Sequence, residues 1–196
     1  NLDQIKDRVE LFACDLCDRD SVRGVLARVR PDVVYHLAAY IQVAHSWQEP
    51  EKAFQVNVFG TLHLLDAIRD AGLSPKIQVV CSSAEYGASK PEEIPIREEK
   101  PLRPANPYGV SKVAQDHISL LYWLNYRLPV VRVRPFNVIG PRKVLDFASD
   151  VARGVVEVER GVQPRLGVGN LEAVRDVLDV RDGVRAMKLV MDKGAP

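Results

Sequence analysis

Short apolar runs rich in valine and isoleucine alternate along the chain with longer stretches whose apolar residues recur at helical spacing. Val9 to Cys14 reads as a strand ending at Asp15. Asp18 or Asp20 then caps a helix running to about Arg30, which Pro31 stops. Val33 to Ala39 is a second strand, apolar on both faces as a central parallel strand is. From Pro50 to Ala71 the positions Ala53, Val56, Phe59, Leu64, Ala67 and Ile68 follow one helical pattern, which Gly72 ends. Ile77 to Cys81 is a third strand. Asn106 and Pro107 supply an N-cap and a first-turn proline for a helix reaching about Tyr126, and Val130 to Arg134 is a fourth strand.

Strand and helix in this rhythm predict βαβ units, hence an α/β fold with a parallel sheet and helices on both faces. The handedness of the crossovers is then nearly fixed. After Gly140-Pro141 the rhythm changes to a helix over 146–160, a short strand over 165–168 and a last helix over 180–191. The chain thus divides into a dinucleotide-binding type of domain over 1–140 and part of a smaller region over 141–196. A dinucleotide-binding sheet opens with a strand, a glycine-rich turn and a helix whose N-terminus holds the pyrophosphate. No Gly-x-Gly-x-x-Gly occurs in this sequence. Its first strand is therefore expected to be the third of such a sheet, with the N-terminal βαβ unit absent.

Composition narrows the partners. A formal net charge of +1 and the lack of any Lys/Arg run predict no nucleic-acid partner. The apolar runs fall short of the roughly 20 residues of a membrane helix, and the first residues carry no signal-peptide pattern, so the cytoplasm is expected. Cys14 and Cys17 form a Cys-x-x-Cys without a second pair, and Cys14 closes a strand-like run, which predicts a buried structural thiol. His36, His45, His63 and His117 sit on different predicted elements, so no metal site is expected.

The strongest chemical signal is Tyr108-Gly-Val-Ser-Lys112, at the start of the Asn106-capped helix. Residues four apart share a helix face, so phenol and ammonium can address one ligand. A nearby cation is expected to lower the tyrosine pKa and make the phenol a proton donor or acceptor near neutrality. Ser82 and Ser83 follow directly on the third predicted strand, at the edge where ligands of open α/β sheets bind. A hydroxyl there can hydrogen-bond a carbonyl or alkoxide oxygen.

Leu37-Ala-Ala39, Asn57-Val-Phe-Gly-Thr61, Ser82-Ser-Ala-Glu-Tyr-Gly87, Tyr108-x-x-x-Lys112 and Arg134-Pro-Phe-Asn-Val-Ile-Gly-Pro141 stand in the order and spacing of the extended short-chain dehydrogenases. The chain resembles that family, and the tail from Gly169 to Asp182 resembles its GDP-mannose branch of 4,6-dehydratases and keto-sugar reductases. The resemblance implies a Rossmann-like doubly wound sheet, NAD or NADP as cofactor and a GDP-hexose as substrate. It implies that Tyr108 is the acid/base, that Lys112 holds the nicotinamide ribose and tunes Tyr108, and that Ser82 orients the sugar oxygen. Leu37, Ala38, Ala39 and Pro135 then line the cofactor path, with Asp15 and Leu16 flanking the adenine. Ser83, Glu85 and Asn137 are implied on the substrate side. Arg175 is implied to pair with the diphosphate, the alternative being an ion pair with Asp176 or Asp179.

The family's dehydratases carry a glutamate base two residues after the catalytic serine or threonine. Here that position is Ala84, with Glu85 one residue later and expected to face the other way. Ketoreduction needs only Ser82, Tyr108 and Lys112, so reduction of GDP-4-keto-6-deoxy-D-mannose to GDP-D-rhamnose is the reading taken. A GDP-mannose 4,6-dehydratase, a nucleotide-sugar 4-epimerase, a non-catalytic nucleotide-sensing module and an inactive fragment stay as alternatives. The discriminator between NAD and NADP follows a strand that the sequence does not contain. Helices 50–71 and 107–126 carry more apolar surface than one buried stripe needs, with Val113, Ile118, Leu121, Tyr122 and Leu124 on the second. In the resembling family these helices pair between subunits, so a homodimer is expected.

Overall fold

The computed structural model describes residues 2, 4–144 and 146–195. It begins with a single 3-10 turn (Lys6–Arg8) and an extended stretch, then α1 (Arg19–Val29), whose N-cap Asp18 accepts the N–H groups of Asp20 and Ser21. Arg30 closes α1 in the left-handed conformation, ahead of Pro31. Then follow β1 (Val33–His36), α2 (Pro50–Phe54), a π-helical turn (Gln55–Phe59), α3 (Gly60–Asp70), β2 (Lys76–Val80), α4 (Pro107–Tyr126) and β3 (Val130–Val133). A second part holds β4 (Asn137–Ile139), α5 (Phe147–Glu159), β5 (Val177–Asp179) and α6 (Val180–Lys193).

β1, β2 and β3 form a parallel sheet in that order, and each consecutive pair is joined through a helix. The alternation of β2 decides what covers each face. Ile77, Val79 and Cys81 look into the core with Val22 and Leu26 of α1, Leu64, Leu65 and Ile68 of α3, and Tyr122 of α4. Gln78 looks the other way, and its Nε2 donates 2.9 Å to Met187 O on α6. Lys76 Nζ donates to Met191 O and, at 3.0 Å, to Gly194 O, placing a cation on the carbonyl end of α6. Helices therefore cover both faces. Among the described residues no helix is long and apolar enough to cross a membrane.

Several expectations are corrected. The predicted strand over 9–14 makes no ladder, and Cys14 and Cys17 are both exposed rather than buried. A strand exists only beside another strand, and among the described residues none lies next to this stretch. For the same reason β1 is an edge strand, with Val33 48% and Tyr35 43% exposed, not a strand buried on both faces. The strand expected over 165–168 is absent. Its place in the second part is taken by a parallel pairing of β4 with β5, from Asn137↔Val177 to Ile139↔Asp179. That pairing joins residues from both sides of the boundary expected near 140, and α6 returns to β2 and β3.

Candidate active site

Parallel, adjacent strands put their carboxyl ends on one rim. Leu37, Ala38 and Ala39 leave β1 there, Ser82 and Ser83 leave β2, and Pro135 leaves β3. Ser83 N–H donates 3.0 Å to Pro135 O, which keeps the last two strand ends together beyond the ladder. α4 delivers Tyr108 and Lys112 to the same rim. Asn106 Oδ1 caps it by accepting Gly109 N–H at 2.8 Å, and Ser46 Oγ accepts the otherwise orphaned N–H of Tyr108 at 3.2 Å. Gly109 is required by close approach: a Cβ there would stand 2.9 Å from Ala84 O. Without it the first turn of α4 presses against the 3-10 turn Ser83–Glu85.

Ser82, Tyr108 and Lys112 come together. Ser82 Oγ accepts Ala84 N–H at 3.2 Å and lies close enough to the Tyr108 phenol to favour its ionised form. Lys112 Nζ lies 5.9 Å from the centre of the Tyr108 ring. It donates 2.9 Å to Val80 O and 2.8 Å to Gln115 Oε1, so two of its three protons are engaged and one is left for a ligand hydroxyl. Burial pushes the Tyr108 phenol above its ordinary value, with the nearby Ser82 hydroxyl pulling back. The expected lowering by Lys112 is thus overridden, because desolvation of a buried phenol outweighs an ammonium that is not in contact with its oxygen. Burial in turn lowers Lys112 to about 8.

Behind these three lies a buried polar layer that sequence reasoning did not assign. Thr61 Oγ1 donates 2.7 Å to Asn57 O and stands 2.8 Å from both His36 Nε2 and Gln115 Nε2. With its one proton spent on Asn57, Thr61 accepts from Gln115, which turns Gln115 Oε1 toward Lys112. Asn57 Nδ2 donates 2.9 Å to Ser111 Oγ and 3.2 Å to Tyr40 O, while its Oδ1 accepts Tyr40 N–H at 2.7 Å. It sits in the π-helical turn between α2 and α3, a feature that recurs at functional positions. Burial and the charge of Lys112 hold His36 down at about 4, so it is neutral. Two signals were available in the sequence: Asn57 and Thr61 end one of the quoted motifs, and Gln115 stands three residues after Lys112 on the same helix face.

Glu85 does not reach the rim. It is fully buried, and its carboxylate accepts Ser82 N–H at 2.9 Å and Arg134 Nε at 3.0 Å. Arg134 Nε also donates 2.8 Å to Asp116 Oδ2, and Arg132 pairs with the other oxygen of Asp116. Cys81, Glu85 and Asp116 converge with ligand atoms within 4.8 Å of one another, but the two guanidinium groups already neutralise both carboxylates.

The other expected positions are more dispersed. Asp15 is exposed and its Oδ1 accepts Cys17 N–H at 2.9 Å, while Leu16 O accepts the Nδ1–H of His63 at 2.8 Å. Asn137 Nδ2 donates 3.1 Å to Asp176 O and so ties β4 to the approach of β5. Arg175 is exposed and, among the described residues, pairs with neither Asp176 nor Asp179; the latter is held by Arg181. Next to β4 and β5 a cavity of about 290 Å³ is lined by Gly140, Lys143, Asp146, Ser149 and Asp179 among others.

The chain is 36% identical over 182 residues to the GDP-6-deoxy-D-mannose reductase of Pseudomonas aeruginosa, covering 92% of this chain and 60% of that protein. It is 34% identical to a GDP-mannose 4,6-dehydratase of Vibrio cholerae, covering 93% of this chain and 49% of that one. The solved structure of RMD from Pseudomonas aeruginosa, complexed with NADPH, superposes with a TM-score of 0.88 at 34% identity, over 94% of this chain and 63% of that chain. The chain therefore spans about half to two thirds of the length of these relatives. The fold is that of the Rossmann-like sheet of the extended short-chain dehydrogenases. A family model described as GDP-mannose 4,6 dehydratase matches residues 1–196, and the chain belongs to that family.

Proposed function

We propose that this chain carries the catalytic centre of an NAD(P)H-dependent reductase that converts GDP-4-keto-6-deoxy-D-mannose to GDP-D-rhamnose. The observation that carries the reading is Ser82 beside the Tyr108 phenol with Lys112 one turn along α4, while Ala84 stands where a dehydratase needs its base. Glu85, the nearest carboxylate in sequence, faces Arg134 inside the protein and offers no base to a sugar carbon. The likeness to the Pseudomonas aeruginosa reductase supports the same choice.

The donor set fits a nicotinamide dinucleotide, since Lys112 keeps one free proton at the rim for a ribose hydroxyl. Leu37, Ala38, Ala39 and Pro135 line its path, with Asp15 and Leu16 beside the adenine. Held there, the cofactor would supply hydride chemistry at the keto carbon. Ser82 accepts Ala84 N–H, so its own proton is free to point at the sugar oxygen and hold the carbonyl in place. Tyr108, kept protonated at neutral pH by burial, gives its proton to the oxygen as negative charge develops there. Lys112, still mostly protonated at pH 7, steadies the phenolate left behind. On the substrate side, Ser83 and Asn137 contact the nucleotide sugar and Arg175, free of carboxylate partners among the described residues, meets the diphosphate.

The protein works as a homodimer in this reading. Val110, Leu121 and Leu124 stand exposed on α4, and Phe59 is exposed at the end of the π-helical turn. Tyr122 and Ile118, which the sequence placed in the same surface, pack into the chain's own core instead.

The deciding assay offers GDP-4-keto-6-deoxy-D-mannose with NADH or NADPH to the full-length protein and follows cofactor oxidation. Stoichiometric oxidation with a 4-hydroxy product supports the reductase. Formation of a keto sugar from GDP-mannose without net cofactor turnover rejects it in favour of the dehydratase.

A further inference from the structure

The turn that bears Ser82 is held by a single carboxylate. Glu85 Oε1 accepts the N–H of Ser82 at 2.9 Å, while Ser82 Oγ accepts the N–H of Ala84 at 3.2 Å, so side chain and backbone close a reciprocal box around three residues. Glu85 Oε2 accepts Arg134 Nε at 3.0 Å. Arg134 leaves the end of β3, and the same Nε donates 2.8 Å to Asp116, one turn beyond Lys112 on α4. The backbone of Glu85 is fixed as well, since its carbonyl accepts Arg103 N–H at 2.9 Å. Two catalytic elements, the Ser82 turn and the Tyr108–Lys112 face of α4, are therefore tied to one guanidinium through two carboxylates.

We infer that Glu85 is a positioning residue: through Ser82 N–H and Arg134 it sets the place of the Ser82 hydroxyl relative to Tyr108. The inference rests on the reading of Ser82, Tyr108 and Lys112 as a carbonyl-reducing site, and gives Glu85 a role distinct from substrate contact. The physical reason is in the donors. Oε1 takes the backbone N–H of Ser82 and Oε2 takes a share of the Arg134 Nε–H, which also reaches Asp116 at 2.8 Å, so only the ionised carboxylate offers a full acceptor to each donor. Protonation spends one oxygen lone pair and places a hydrogen against a donor. Groups facing Glu85 are Cys81 directly after β2, Tyr108, Lys112 and Asp116 on α4, and Arg134 after β3. Burial pushes its carboxyl up to about 7, with Asp116 adding to the rise and the Ser82 N–H, Arg134 and Lys112 opposing it. The working form is thus gained as pH rises through about 7 and lost below it.

The test uses the full-length protein and four variants: Glu85→Gln, Glu85→Asp, Ser82→Ala and Tyr108→Phe. Glu85→Gln keeps the shape but sets an NH2 group against either Ser82 N–H or Arg134. It is expected to lower kcat about 10- to 100-fold at pH 8 with KM and cofactor affinity within about twofold of wild type. The acid limb near pH 7 in the kcat profile should vanish in this variant. Glu85→Asp keeps a carboxylate too short to span both donors, so it should lose turnover while retaining an acid limb; it decides the matter if Glu85→Gln does not fold. Full turnover in either Glu85 variant overturns the inference, as does an acid limb unchanged in Glu85→Gln, which would make Glu85 a packing residue only. If Ser82→Ala and Tyr108→Phe leave turnover intact, the reductase reading itself falls and the inference with it; if only these two collapse, the reductase reading stands alone.

Discussion

The two faces of α4 invert the usual arrangement of a surface helix. The buried face carries Tyr108, Ser111, Lys112, Gln115, Asp116 and Ser119, all polar, while the exposed face carries Val110, Leu121 and Leu124. An amphipathic helix ordinarily buries its apolar stripe. Here the inward face is tolerable because nearly every polar atom on it has a partner: Ser119 Oγ donates to Gln115 O at 2.7 Å, Ser111 Oγ to Tyr108 O at 2.7 Å, and Asp116 takes two arginines. The outward face has no such closure within one chain. The contrast teaches that α4 packs as a core helix only in its last turns, through Tyr122, and elsewhere turns polar groups inward to the site and leaves apolar side chains uncovered outward.

The sharpest way to break the contrast is to remove one inward oxygen. Tyr108→Phe deletes the proton donor and leaves its ring and the Lys112 contact in place. Turnover of the keto sugar should fall about 10²- to 10⁴-fold, with cofactor affinity, measured by fluorescence titration, changed little. Retained turnover would mean that the inward face is structural only.

How much of this was legible in the sequence follows from which interactions are local. The N-cap at Asn106, the first-turn proline and the four-residue spacing of Tyr108 and Lys112 are properties of one segment, and α4 appears where they place it. Ile77 to Cys81 was readable because strands lie on both sides of it, and Val130 to Arg134 because it pairs with β2 and sets Val130 in the core. Segment 9–14 has the same apolar content, yet makes no strand, because a ladder belongs to a pair and not to a run of residues. Residues 165–168 failed for a related reason: β5 forms later, where Val177–Asp179 meets β4. Glu85 was invisible as a partner because its role depends on Arg134, set by packing across 49 residues, whereas the contact of Gln115 with Lys112 lies within one helix turn and was open to reading.

The next largest effect concerns stability. Burial holds the folded-state pKa of His36 at about 4 against an ordinary 6.5. The unfolded chain therefore takes up this proton first, and the stability contributed by neutral His36 is present above pH 6.5 and lost as pH falls toward 4. The loss amounts to about 3 kcal/mol, a few hundredfold in the folding equilibrium. Urea titrations across this window should slope less in His36→Gln than in wild type; equal slopes would place the proton elsewhere.

Gln115→Leu tests the orientation argument more finely. It removes the acceptor of one Lys112 proton and the donor to Thr61 without adding charge. Loss of one buried charge-assisted hydrogen bond is worth about 1.5 kcal/mol, so turnover should fall about tenfold. The basic limb of the pH profile should also move to lower pH, since the ammonium loses a partner that favours its charged form. An unchanged limb would separate Gln115 from Lys112 function.

The smallest effect on chemistry, and the one that isolates the other face, comes from Leu121→Glu combined with Leu124→Glu. These side chains are 53% and 50% exposed, and with Val110 they recur at positions 110, 121 and 124, within about 40° of one line along the helix. Three apolar side chains on such a line, together with Phe59, form a seam that a second copy of the same surface can cover across a two-fold axis. Two carboxylates placed on it would face their own copies, and like charges brought together in a desolvated seam prevent closure. Light scattering at micromolar concentration should show a dimer in the wild type and a monomer in the double variant. Because the inward hydrogen bonds close within one chain, turnover per chain should change by no more than about threefold. A dimer that survives both charges would move the interface off α4 and leave its apolar face without an explanation, while a monomer that also loses turnover would show that the two faces are coupled.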